Sequence, residues 1–110
     1  MGFSTVIDKL LEFELALRDL YQWFSNGFRH DQEAARTFGR LSLQEEKHAN
    51  LIRYQKRLWS ANSPAFAAME ANLDEVDRLL EEIENLRGRV KRPTLPEALE
   101  LSIRLERSAA

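Results

Sequence analysis

Residues 4–25 open with the pair Val6 and Ile7 and then place Leu10, Phe13, Leu17, Leu20 and Phe24 at steps of three and four. That period is the signature of a helix with one apolar stripe, and it constrains the fold more than any other feature of the chain. Ser4 or Thr5 can cap the start, and Asn26-Gly27 supplies residues tolerant of the left-handed conformation that ends helices. Asp31 then has the chemistry of an N-cap, with Glu33 in the first turn of a second helix over about 32–58. Its stripe reads Ala34, Phe38, Leu41, His48, Leu51 and Ile52. A link this short between two helices implies an antiparallel helical hairpin over 4–58.

The segment "SANSPAF", residues 60–66, interrupts the pattern, and Pro64 suits a helix start. Leu73, Val76, Leu80, Ile83 and Val90 then approximate a heptad seam, giving a crossover helix within 64–91. The acids over 74–87 read as its solvated face. Thr94-Leu95-Pro96-Glu97 has capping-box spacing, so a last helix starts near 95 and runs through 110 without a stop signal. Four glycines and three prolines are few for a chain of 110 residues, which agrees with an all-α single domain over 1–110.

Composition removes several chemistries. No cysteine is present, which excludes disulfides, thiol catalysis and thiolate metal sites within these residues. A net charge of -2 gives no basic surface for nucleic acid. The small cluster Arg87, Arg89, Lys91 and Arg92 reads as a complement to a helix C-terminus. No apolar run approaches the ~20 residues of a membrane span, and Asp8 and Glu12 break up the start as a signal peptide. A cytoplasmic protein with no membrane partner is the default expectation.

The informative residues are acids on apolar stripes. At about 100° per residue, Glu14 falls within about 40° of Leu10, on the stripe shared by Tyr21, Leu17 and Ile7. In "LSLQEEKHANLI", residues 41–52, Glu45 and His48 both fall within about 40° of Leu41, whereas Glu46 and Lys47 point away. On the last helix Glu106 shares an apolar side with Leu99, Ile103 and Ala110. An unpaired buried carboxylate costs several kcal/mol, on the order expected for a desolvated ion, unless it meets a cation or a partner. Arg18 and Arg53, the nearest basic residues, lie off the centres of these faces. Each residue alone also reads blandly: a glutamate reaching water from the stripe's edge, a core histidine bonded to a carbonyl, a core tyrosine. Jointly, two carboxylates and an imidazole on facing stripes form a ligand set for iron or manganese.

The hairpin resembles the ferritin-like superfamily, and within it the rubrerythrin-like proteins. "EFELALRDLYQWFSNGF" is similar to their first helix, with Glu14 as metal ligand and Tyr21 matching a tyrosine common there. "FGRLSLQEEKHANLI" is similar to the second, with Glu45 and His48 as its Glu-x-x-His pair. A faint repeat aligns "VIDKLLEFE" at 6–14 with "ALELSIRLE" at 98–106. The resemblance therefore implies that 95–110 starts a third core helix carrying Glu106 as a ligand. It implies two iron ions per complete site, with manganese or zinc as substitutes. It also implies oxidoreductase activity toward peroxide or dioxygen, or oxidation of ferrous iron, with Tyr21 as a hydrogen-bonding or redox participant. Electrons for turnover would come from a separate donor, because the chain has no cysteine for a rubredoxin-like module.

The fourth core helix, with its second Glu-x-x-His, is not in these residues, and His30 sits in the loop beside Asp31. Three accounts stay open. The chain is a fragment of a longer protein, or a homodimer completes a four-helix bundle and the dinuclear site, or it is a metal-free helical dimerisation module.

Overall fold

The computed structural model describes residues 3–58, 73–89 and 92–109. They form four helices: α1 (Phe3–Gly27), α2 (Gln32–Leu58), α3 (Leu73–Arg89) and α4 (Leu95–Ala109). No strand occurs among the described residues. The expected break at 60–66, the helix start at Pro64, and Val90 and Lys91 lie outside them. No described helix is long and apolar enough to cross a membrane.

The hairpin forms as its sequence predicts, with one difference at the turn. Asn26-Gly27 does not adopt the left-handed conformation. Instead α1 winds on through Gly27, and the chain tightens by two successive backbone bonds, Phe28 N–H to Phe24 C=O and Asp31 N–H to Phe28 C=O. Asp31 then caps α2, accepting from the Ala34 N–H at 3.1 Å. Three ties fix the antiparallel register of α1 and α2. They are the Ser25 hydroxyl to the Ala35 carbonyl, the Ser42 hydroxyl to the Arg18 carbonyl, and Lys56 to Asp8.

The last helix begins with the expected capping box. The Thr94 N–H donates to Glu97 Oε1 at 3.1 Å, and the Glu97 N–H donates to Thr94 Oγ1 at 3.3 Å. The Thr94 N–H, with the Thr94 hydroxyl donating to the same oxygen at 3.0 Å, holds the Glu97 carboxyl below the usual carboxylate range.

α1 is the central element. Its C-terminal part fixes α4, since Pro93 approaches Gly27 while Glu106 reaches Tyr21, six residues earlier. α4 therefore runs antiparallel to α1 and in the same direction as α2. On another side of α1, Lys9 pairs with Asp77 at 2.7 Å and Arg87 lies 5.2 Å over the Trp23 ring, so α3 runs with α1. Arg87, read above as a complement to a helix end, thus also caps an aromatic face.

One apolar core joins all four helices. Phe13, Leu17, Leu20, Tyr21 and Phe24 of α1 meet Phe38 of α2, Val76, Leu79, Ile83 and Leu86 of α3, and Ala98, Leu101 and Leu105 of α4. The α3 seam is rotated from the expected one: Leu79 is buried where Leu80 was expected, and Leu86 continues it. α3 is also more than a crossover, because it covers α1 with a full buried face.

Candidate metal centre

Glu14 and Glu45 face one another across the hairpin because the ties at Ser42 and Lys56 set the register between them. Glu45 is 2% exposed and Glu14 is mostly buried. His48 lies one turn beyond Glu45 and bends its ring back. Its Nδ1 is 3.3 Å from Glu45 Oε2 and 3.7 Å from Glu14 Oε2. One ligand atom of each residue lies within 4.8 Å of the others. Donors around a cation with ~2.1 Å bonds stand about 3–3.5 Å apart, so small rotamer shifts would close the set.

The expected directions hold for the carboxylates and not for the imidazole. Glu46 and Lys47 are exposed, as read from the stripe. His48, expected on the buried face, is 57% exposed. The residues of α2 buried against α1 are Phe38, Ser42, Glu45 and Ala49, centred about 70° round the helix from Leu41. Ser42 and Ala49 are small, which lets the helices approach there and shifts the contact away from the bulkier stripe. His48 then falls at its rim, and Leu51, also counted on the stripe, is exposed. His30, in the turn beside Asp31, is exposed.

The electrostatics explain why a cation fits. Glu14 Oε2 is buried with no hydrogen-bond partner, and His48 Nδ1 is too far to serve. Burial pushes the Glu45 carboxyl up to about 10, reinforced by hydrogen bonding and charge from Glu14 and then Glu106. Without a cation, Glu45 is stable there only with a proton, which is also a donor able to relieve Glu14. The basic candidates stay outside. Arg18 pairs with Asp19 and Glu46, and Arg53 bonds to Asn50. A divalent cation between Glu14, Glu45 and His48 would supply the charge that these arginines withhold.

Glu106 does approach the cluster, since its carboxyl acts on Glu45. It does not join Glu14, Glu45 and His48 as a fourth converging donor among the described residues. Instead the fully buried Tyr21 donates its hydroxyl to Glu106 Oε1 at 2.6 Å. Burial, then the Glu106 hydrogen bond and charge, hold the Tyr21 phenol far above its ordinary value, so it stays a donor. Sequence reading placed both residues near the site but missed this bond. The two lie 85 positions apart, and only the docking of α4 brings them together.

Tyr21→Phe is therefore expected to leave Glu106 without its donor and cost about 1–2 kcal/mol. Hydrogen exchange should show the loss as faster opening of α4 than of α2. Equal protection of both helices in the variant would contradict the tether.

No family model, curated protein or solved structure matches this chain.

Proposed function

We propose that the chain is an iron-binding carboxylate protein of ferritin-like kind, whose Glu14, Glu45 and His48 hold the metal for redox chemistry on peroxide, dioxygen or ferrous iron. The observation that carries this reading is the buried Glu14 Oε2 without a hydrogen-bond partner, beside a second carboxyl that burial and its carboxyl neighbours keep protonated. Two hard oxygen donors and one imidazole nitrogen suit iron or manganese, with zinc as a further occupant. Bound ferrous iron would supply electrons, two of which with two protons convert a peroxide to two waters.

The chain's own residues do the rest. Glu14 and Glu45 offer negative charge in a site shielded from water, where it attracts a cation more strongly than at the surface. His48 offers an imidazole nitrogen from the exposed rim of the site. The Tyr21 hydroxyl donates to Glu106 and so ties α4 to α1 beside the carboxylates. With no cysteine in the chain, a separate donor restores the electrons.

The test is a titration of metal-free protein with ferrous iron under exclusion of air. At a free concentration a hundredfold above Kd, binding adds about 2.7 kcal/mol and raises the unfolding midpoint by roughly 10 °C. Glu45→Gln should abolish that rise. The absence of any rise with iron, manganese and zinc, or an equal rise in the variant, would overturn the metal site.

A second reading, a metal-free interaction module, draws on a different observation. Leu99 and Ile103 of α4 are exposed beside an open apolar groove.

A further inference from the structure

We infer that the outer face of α2 docks on an anionic lipid bilayer. It lies along the surface, since no described helix is long and apolar enough to cross. This inference concerns the side of the hairpin turned away from the carboxylates, and it stands whether or not they bind metal.

The outer side of α2 lies about 180° round the helix from its buried set, Phe38, Ser42, Glu45 and Ala49. It carries Arg36, Arg40, Leu43, Lys47, Leu51 and Tyr54, at steps of four, three, four, four and three. The mean step equals one helical turn, so the six form a straight line about 27 Å long. Leu43 is 61%, Leu51 52% and Tyr54 57% exposed. Within about 50° of this line the only acid of α2 is Glu33, in the first turn. Lys9, Arg18, Lys56, Arg78 and Arg104 each pair with a carboxylate. Arg36, Arg40 and Lys47 are exposed and meet no acid among the described residues.

The net charge of -2 conceals a division between helices. α2 has six basic residues against three acids, and α3 has six acids against three basic residues. α3 packs on the side of α1 that carries Lys9 and Trp23, and α2 on the side that carries Glu14 and Ser25. Those sides of α1 are nearly opposite. The molecule is therefore positive along one long face and negative along the other, a charge distribution that turns α2 toward an anionic surface.

The interleaving of charge and apolar surface selects the occupant. A protein helix docked along this line would enclose Arg40 and Lys47 between Leu43, Leu51 and Tyr54, and an enclosed ion pair recovers little of its lost hydration. Nucleic acid would engage the cations through its phosphates but leave the leucines uncovered. A bilayer surface gives each group its own level. The leucines enter the boundary of the acyl region, while the basic stems run beside them and the charged ends stay with the lipid phosphates. Tyr54, with an apolar ring and a polar hydroxyl, suits the headgroup level.

The experiment is co-sedimentation of the metal-free chain with vesicles of phosphatidylcholine alone and of an equal mixture with phosphatidylglycerol. The chain should bind the mixed vesicles at least tenfold more tightly than the neutral ones, and added sodium chloride should weaken that binding. A basic residue near such a surface contributes roughly fivefold, so Arg40→Glu combined with Lys47→Glu should weaken binding at least tenfold. Leu43→Ser combined with Leu51→Ser should do the same. Glu84→Gln, on the acidic side, should change it less than twofold. Every substitution is at an exposed position, and circular dichroism checks that the helices remain. The lipid preference and salt dependence of the wild type test the inference without any variant. No binding to the mixed vesicles, or equal binding to the neutral ones, would overturn it. Binding unchanged by either pair of substitutions would overturn it too. Loss with the charge pair alone, together with equal affinity for duplex DNA, would assign the face to polyanions in general and remove the bilayer as its partner.

Discussion

Glu45→Gln is expected to make the metal-free protein more stable at neutral pH while removing its metal affinity. Glu45 is held near 10 in the folded chain against 4.5 ordinarily. Between those values the folded state keeps a proton that the unfolded chain has released. Stability is therefore full below about 4.5 and falls as pH rises toward 10, by at most about 1.4 kcal/mol per pH unit. At pH 7 the cost to the wild type is roughly 1–3 kcal/mol, less than the ceiling because the proton is shared among coupled carboxyls. Glutamine is neutral at every pH, and its amide can donate to Glu14 Oε2. Denaturant unfolding of both proteins from pH 4.5 to 8.5 checks this. The two should agree at the acid end and diverge upward, with the variant the more stable. A wild type that gains stability over the variant as pH rises would refute the account of Glu45.

Phe24→Ala should produce the largest loss in stability. Phe24 is fully buried at the centre of an aromatic cluster. Its ring centroid lies 5.1 Å from that of Phe38 in an edge contact, 5.7 Å from Trp23, 6.3 Å from Phe28 and 6.5 Å from Tyr21. Truncation removes the transfer energy of the ring and leaves a cavity that four other aromatic rings cannot fill without leaving their rotamers. The expected cost is about 3–5 kcal/mol, a large share of the 5–15 kcal/mol of a whole domain. The unfolding midpoint should fall by roughly 15–20 °C. The site should feel it as well. Tyr21 stacks on Phe38 at 6.2 Å and holds Glu106, so a loosened cluster releases α4 from the carboxylates. A loss below about 1 kcal/mol would mean that the cluster does not carry the core.

How much of this was legible in the sequence depended on how local each cause was. The Asp31 cap and the Thr94–Glu97 box are settled within four residues, and both form as read. The α1 stripe was legible because seven apolar positions agree on one direction. Glu14 and Glu45 were legible as inward acids by the same logic. The exposure of His48 was not, because small Ser42 and Ala49 draw the contact round α2, and a hydropathy wheel underweights small residues. The choice of Leu79 over Leu80 in α3 was equally hidden, since either leucine completes a helical period. The Tyr21–Glu106 bond depends on tertiary docking, which no local pattern encodes. The apolar side of α4 that carries Leu99 and Ile103 was read correctly as apolar. That it stays exposed could be seen only once the chain had folded.

The central claim is that Glu14, Glu45 and His48 bind one ion together. X-ray absorption at the iron edge of the ferrous-loaded chain reports it most directly, because imidazole scatters differently from water or carboxylate. The account predicts an oxygen- and nitrogen-rich shell with one imidazole per iron, and loss of the imidazole signal in His48→Ala. An iron shell of oxygen alone in the wild type, unchanged by that substitution, would contradict it.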